Sequence, residues 1–500
     1  MATLTKTETK TLQQYIGGQW LDGKSKREIV STNPADERDI IAKCQGATKE
    51  QTLEAIAAAD QARKAWRETP APARARVILK FIELARAKKE ELARLMTREQ
   101  GKILPEALGE MEKGLNLAEW FSGEGMRFMG TTAPSELPKN FLYTMREPLG
   151  TVSIITPWNF PWAIPVWKIT PALVAGNTVV FKPASNIPAF SAEIVKLFAA
   201  AGLPKGVLNL VMGAGSEIGG LLVEDKRIRG CSFTGSNEVG RGVHTKAGER
   251  GIKVTCEMGG KNPAIIWHDA DLDLALAGVF KGAFGSTGQR CTATSRLLLH
   301  DKIYDAFMEK LIKATKAMTV GNGLNDGIGM GPAVDASQLK TDLDYIEIAK
   351  KEGAQLTLGG KRLEEGDLKH GNFVEPTIFE GVTREMRLFK EEVFGPVLAV
   401  TRVKDYDDMI ATANDCEFGL TCAIYTNDIS VSMRFTDDIE AGMVHINSPT
   451  IGGEAQVPFG GVKGSGVGEK EMAKEGINFF SESKTVFVDY TGKKRESSVY

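Results

Sequence analysis

A chain of 500 residues is longer than one hydrophobic core usually organises, so two or more domains are expected. Apolar residues at 42% and charged residues at 25% are ordinary for a globular enzyme, and a net charge of -2 excludes the globally basic footprint of a nucleic-acid binder. No apolar run is long enough to span a bilayer and the opening residues lack the apolar core of a signal peptide, so a cytoplasmic protein with no membrane partner is expected.

The first third reads as mostly helical. Thr48 and Gln51 fit a capping box ahead of an Ala-rich helix ending near 66. Val77, Phe81, Leu84 and Leu92 recur at helical spacing and predict one helix over 73–98. A third helix is expected over 106–129, behind Pro105. From Gly150 the rhythm changes, with apolar runs at 152–155, 178–181, 207–211, 228–233 and 254–257 and helical patterns at 187–201 and 217–224. Strand–helix alternation predicts a parallel sheet with crossover helices and a ligand crevice at the carboxyl ends of its strands. The second half repeats the style. Strands are expected at 264–267, 296–300, 355–358, 397–403, 422–425 and 444–446, and helices at 271–284, 302–318, 405–414 and 429–439. A last alternation at 485–490 is suited to an edge strand that pairs outside its own domain.

Six cysteines form no CxxC pair and the five histidines are scattered, so neither a disulfide scaffold nor a metal site is expected. Cys291 differs from the others in having Arg290 beside it in a loop opened by Gly288, a setting that favours thiolate. Glu257 is an acid at a strand end followed by Gly259 and Gly260, which suits a mobile general base or a plain surface carboxylate. Asn159, held between aromatics and prolines, suits an oxyanion donor or a satisfied turn. Two glycine-bearing turns follow strands. Gly213, Gly215 and Gly219 depart from the usual phosphate fingerprint by one residue. The Gly235-Ser236 turn opens a helix and reads either as an anion site or as a turn capped by Ser236. Lys182 and Ser185 follow another strand, where a ribose or phosphate would lie.

The runs TPWNFP, FKPAS, FTGSNEVG, CEMGGKNP, GQRCTA, EEVFGPV and PFGGVKGSG occur in this order between residues 156 and 466, and together they resemble the aldehyde dehydrogenases. The resemblance implies an α/β fold with two Rossmann-like parallel-sheet domains and a small β bridging arm. It implies an NAD(P)-binding domain from 1–126 and 149–258, a catalytic domain from 259–482, and an arm from 127–148 and 483–500 that makes a homodimer or homotetramer. Cys291 would be the nucleophile, Asn159 the oxyanion donor and Glu257 the base that activates water against a thioester. Thr156, Pro157, Trp158, Lys182, Ser185, Gly215, Phe233, Gly235, Ser236, Gly259, Glu392 and Phe394 match cofactor positions, and Phe160, Phe459 and Arg290 are expected to face a small aldehyde.

NADP is expected to be accepted beside NAD, because Ser185 stands where NAD-strict members carry a glutamate. Arg290 beside the nucleophile resembles branches that oxidise anionic semialdehydes, such as 2-oxoglutarate or succinate semialdehyde; pairing with a carboxylate of the protein, or lowering the thiol pKa, is the plainer alternative. A coenzyme A-acylating enzyme, whose branch lacks the glutamate at 257, and a non-enzymatic binding relative are the competing readings.

Overall fold

Strand–helix alternation after Gly150 builds two separate parallel-rich sheets in the computed structural model, which describes residues 9–495. The first sheet has eight strands in the order Gly466–Val467, Lys253–Glu257, Ile228–Thr234, Thr151–Ile155, Thr178–Lys182, Leu208–Leu210, Gln14–Ile16 and Gln19–Leu21. Its five central strands are parallel, and the flanking Gly466–Val467 and Gln14–Ile16 strands run antiparallel to their neighbours. Chain order reverses between Thr151–Ile155 and Ile228–Thr234, so the crevice of this sheet opens beyond Ile155 and Thr234. Thr156, Asn159, Gly235 and Ser236 follow these two strand ends directly.

The second sheet has seven strands in the order Gln355–Leu358, Thr377–Glu380, Val397–Val403, Thr294–His300, Asn262–Ile266, Thr421–Tyr425 and Met443–Ile446. All are parallel except the Gln355–Leu358 edge. The chain leaves the first sheet at Glu257 and enters the second at Asn262. Carboxyl ends of one sheet therefore meet amino ends of the other across a few residues. Glu257 lies on one side of this seam, and Cys291, just ahead of Thr294–His300, lies on the other.

The helices before the first crossover are α1 (Lys49–Glu68), α2 (Ala71–Ala87), α3 (Lys89–Gln100) and α4 (Leu104–Arg127). The capping box at Thr48 forms in both directions, with Gln51 N–H donating to the Thr48 hydroxyl at 3.2 Å. The single helix expected over 73–98 is instead two, broken at Lys88 (φ -105, ψ 11). The break carries neither glycine nor proline, and the apolar period continues across it.

The first third is also less helical than its composition implies. Residues 10–45 form short strands, two of which edge the first sheet while three make a small sheet of their own. A helix absent from the sequence reading, α5 (Ala163–Ala175), is buried along its whole length and contains Pro165 and Pro171. An all-round buried helix carries no amphipathic stripe to detect. The final strand, Ser481–Asp489, pairs antiparallel with Asn140–Pro148 to form a three-stranded sheet with Thr132–Ala133. Phe487 on it is 70% exposed.

Candidate active site

The Cys291 loop follows the helix α6 (Leu272–Phe284) and is bent by left-handed backbone at Ser286, Thr287 and Gly288 (φ 50, 58 and 66). A Cβ at Gly288 would stand 2.2 Å from the Gly395 carbonyl, so glycine there is a steric requirement. The Asn262 amide donates to the carbonyls of Cys291 and Ala293 at 2.7 and 2.8 Å, and the Gln289 side-chain oxygen accepts from Val334 N–H at 2.9 Å. The loop is thus anchored to the second sheet. The thiol is half-buried, and burial pushes it up to about 12, with the carboxylates of Glu257 and Glu392 adding to the rise. Lys113 and the Thr292 N–H act in the opposite direction.

Asn159 is buried and donates one amide hydrogen to the Gln289 carbonyl at 3.2 Å, while its side-chain oxygen has no partner. The second amide hydrogen has no hydrogen bond among the described residues. Its backbone is pinned by a buried ion pair that sequence reasoning missed. Lys102 pairs with Glu110 and donates to the Asn159 carbonyl at 2.8 Å. Glu110 also accepts from the N–H groups of Trp162 and Ala163 at 2.9 and 3.1 Å.

Glu257 is buried at the end of its strand, and one of its carboxylate oxygens has no partner. Burial and the neighbouring Glu471 hold its carboxyl well above the usual carboxylate range, against the pull of Lys168 and Lys470. Glu471 forms a buried pair with Lys168 and accepts from the Trp167 indole at 2.8 Å. Gly460 (φ 151) lies against this group, and a Cβ there would reach 2.3 Å from a Glu257 oxygen.

The cofactor candidates gather around the crevice of the first sheet. Lys182 ends a strand, is buried, and has only the carbonyl of its neighbour Pro183 as a partner at 3.2 Å; burial lowers it to about 8. The Ser185 hydroxyl reaches the Gly213 carbonyl at 3.4 Å, and Gly215 faces open space at the start of a π-helical turn, Gly215–Gly219. The Thr156 hydroxyl is buried without a partner. Ser236 precedes the helix α7 (Asn237–Arg250) without capping it through its side chain, so the first N–H groups remain open to an anion.

Glu392 accepts from Gly260 N–H at 2.8 Å, with burial raising it to about 7, and a Cβ at Gly259 would collide with it at 2.1 Å. Phe394 (φ 63) meets the Trp158 ring edge-on at 5.5 Å, and Pro157 is half-buried beside Trp158. Phe233 differs from expectation. Its ring packs beneath the turn with Val243, Cys256 and Met258, so close under Gly235 that a Cβ there would meet it at 2.5 Å. It supports the turn from below and does not present its ring to the crevice.

The aldehyde dehydrogenase family model matches residues 20–486. The chain belongs to the aldehyde dehydrogenase family. It is 44% identical to the α-ketoglutaric semialdehyde dehydrogenase of Bacillus subtilis, over 96% of this chain and 99% of that one. Against the NADP-dependent succinate-semialdehyde dehydrogenase of Escherichia coli the identity is 40%, over 94% and 96% of the two chains. The crystal structure of betaine aldehyde dehydrogenase from Staphylococcus aureus with NAD+ superposes with a TM-score of 0.94 at 35% identity, covering 96% of this chain and 95% of that one.

In this aldehyde dehydrogenase a cavity of about 830 Å³ opens between α4 and the loop 453–456, lined among others by Lys113, Asn116, Trp120 and Arg127. Phe459 is buried, packing at 5.5 Å against Trp167, and Phe160 lies 5.7 Å under the Arg290 guanidinium. Arg290 itself is engaged. It pairs with Glu106 at 3.0 Å and donates to the Ser286 hydroxyl at 2.9 and 3.1 Å. Glu106 also accepts from Ser286 N–H at 2.7 Å. Of the readings open for Arg290, pairing with a carboxylate of the protein is the one the geometry favours; it braces the nucleophile loop against α4. Among the described residues no cluster of His, Cys, Asp and Glu could hold a metal, and no helix is long and apolar enough to cross a membrane.

Proposed function

We propose that this aldehyde dehydrogenase oxidises an anionic semialdehyde, of the 2-oxoglutarate or succinate semialdehyde kind, to the acid by way of a thioester on Cys291. The observation that carries the reading is the assembly at the seam. A buried carboxylate faces a half-buried thiol closely enough to raise its pKa, and a buried amide with a spare hydrogen sits against the same loop. The Cys291 thiolate attacks the aldehyde carbon, and the Asn159 amide with the Cys291 N–H receives the charge on oxygen. NAD(P), when bound, accepts the hydride that leaves as the tetrahedral centre collapses.

Lys182, Ser185, Ser236 and Glu392 would hold this cofactor, and Thr156, Gly215 and Gly235 line its place. The unpartnered Thr156 hydroxyl, the open start of α7 and the nearly partnerless Lys182 fit such a guest. Glu257 then takes a proton from the water that attacks the thioester. Its raised pKa makes it a stronger base than an ordinary carboxylate, with Lys168 and Glu471 holding the local charge balance. A carboxylate at this place supports hydrolysis over transfer to coenzyme A.

NADP acceptance rests on the lysine and hydroxyl at 182 and 185, with no acid at either position to repel a 2′-phosphate. We read 1–126 with 149–258 as the cofactor unit, 259–482 as the catalytic unit, and 127–148 with 483–500 as an oligomerisation arm; residues 1–8 and 496–500 lie outside the described residues. The exposed apolar side chains of the arm, Phe141, Met145 and Phe487, support a dimer or tetramer.

The test is turnover of succinate semialdehyde, 2-oxoglutarate semialdehyde and butanal with NAD and NADP, with acid measured with and without coenzyme A. Free acid without coenzyme A and a kcat/KM at least about tenfold higher for the carboxylated aldehydes are expected. Preference for butanal, or dependence on coenzyme A, overturns the reading.

A further inference from the structure

Once Arg290 is tied to Glu106, the carboxylate of an anionic substrate needs another cation. Two basic side chains line the cavity beside α4. Arg127 is held by Glu124 at 2.7 Å. Lys113 has no ion pair or hydrogen bond among the described residues, although it is half-buried. Its ammonium rests 5.6 Å from the Trp167 ring and 5.9 Å from the Phe459 ring, a contact that partly offsets the loss of water. The site of a Cβ on Gly453 is 3.7 Å from it, so the cavity loop passes directly over the charge.

The nearby acids do not satisfy it. Glu112 is bound to Lys89 at 2.7 Å, Glu110 to Lys102, and Glu454 to Gln456. Burial lowers the Lys113 pKa, while the Cys291 side chain and Glu110 pull it back up and Arg290 opposes them. A desolvated ammonium with aromatic walls and no counter-ion is a receptor for an anion that comes and goes.

We propose that Lys113 is the specificity-determining residue of the cavity beside α4: it receives the distal carboxylate of the semialdehyde while Trp167 and Phe459 flank the carbon chain. The inference rests on the semialdehyde reading above. The chemistry is suited to a linear aldehyde carrying one carboxylate at its far end. Its negative charge meets the ammonium, and its aldehyde end is left facing the thiol, which lies within the field of the same lysine. Lysine is a point charge on a flexible stem, so chains differing by a methylene remain within its reach.

Lys113→Met and Lys113→Gln are assayed with succinate semialdehyde and butanal, with iodoacetamide labelling of Cys291 followed against pH and cofactor binding checked by fluorescence. Losing a hydrogen bond to a charged group predicts a fall in kcat/KM of about 10- to 150-fold for the carboxylated aldehyde, most of it in KM. Butanal should lose less than about threefold. Lys113→Arg should restore most of the discrimination.

Equal losses for both aldehydes, accompanied by an upward shift of the thiol titration, would overturn the proposal and make Lys113 a thiol-activating group. Unchanged discrimination in both neutral variants overturns it as well. Failure of the semialdehyde reading shows separately, as a wild-type enzyme that does not favour the carboxylated aldehyde at all.

Discussion

The Cys291 thiol of the cofactor-free enzyme should be slow to react, and the structure sets how slow. With the thiol pushed from 9.0 up to about 12, about one molecule in 10⁴ carries thiolate at pH 8, against roughly one in ten for an exposed thiol. Iodoacetamide should therefore label Cys291 about 10³-fold more slowly than free cysteine, as read by mass spectrometry of the peptide containing residue 291. Four other cysteines are buried and Cys416 is only half-buried, so peptide-level detection is required. Glu257 is one of two carboxylates that raise the thiol. Neutralising it in Glu257→Gln removes a like charge from beside the thiolate. Wherever the carboxylate is ionised, labelling should become faster, by about tenfold for each unit the midpoint falls. A labelling midpoint below 9 in the wild type would refute the burial argument. Slower labelling in Glu257→Gln would show that the glutamate takes the thiol proton itself, and the division of labour proposed here would be wrong.

Gly460→Ala should abolish turnover while leaving the folded enzyme and its cofactor binding measurable, since the new methyl would press on the Glu257 carboxylate; retained activity would show that the loop yields. Lys102→Met should destabilise the protein by about 3–5 kcal/mol in urea unfolding, because Glu110 is left charged and buried, and adding Glu110→Leu should not restore stability, since the Trp162 and Ala163 N–H groups then lose their acceptor. Ser185→Glu should shift kcat/KM towards NAD by more than tenfold, about 1.4 kcal/mol, through repulsion of the 2′-phosphate; an unchanged ratio would move the nucleotide choice elsewhere. Glu471→Gln removes a negative charge from beside Glu257 and should move the acidic limb of the kcat–pH profile to lower pH, since the glutamate would then ionise more readily.

Much of this was legible in the chain. Short apolar runs placed the parallel strands of the first sheet, and those of the second except Thr377–Glu380, to within a residue or two, because parallel strands buried on both faces read as such runs. The motif residues lie at two strand ends and across the seam. The strands within 10–45, the helix Ala336–Lys351 and the strand Thr377–Glu380 escaped, and two further kinds of miss have a clear physical reason. The helix α5 has no polar face, and the break at Lys88 is marked by no special residue, so neither leaves a local signal. The supporting charges escaped because their partners are distant in sequence. Lys168 meets Glu471 and Arg290 meets Glu106 only after the fold is complete, and nothing near either residue announces its partner. Reading Arg290 as free for substrate followed from seeing its neighbour in the chain and not its neighbour in space.

The crossing from one sheet to the other at Glu257–Asn262 leaves the nucleophile in the rear segment of the chain and several recognising side chains in the front one. Lys182, Ser185 and Lys113 all precede the crossing, whereas Cys291 follows it. A chimera that joins the first 257 residues of a relative to the remainder of this chain would inherit the donor's residues at positions 113, 182 and 185 while keeping Glu392. It would keep this protein's nucleophile loop, but the joint would have to match the Arg290–Glu106 brace, the Asn159–Gln289 contact, the Lys168–Glu471 pair and the pairing of Ser481–Asp489 with Asn140–Pro148, among others. Exchanging the front segment would therefore change the residue proposed to meet the far end of the aldehyde while leaving the reacting sulfur untouched.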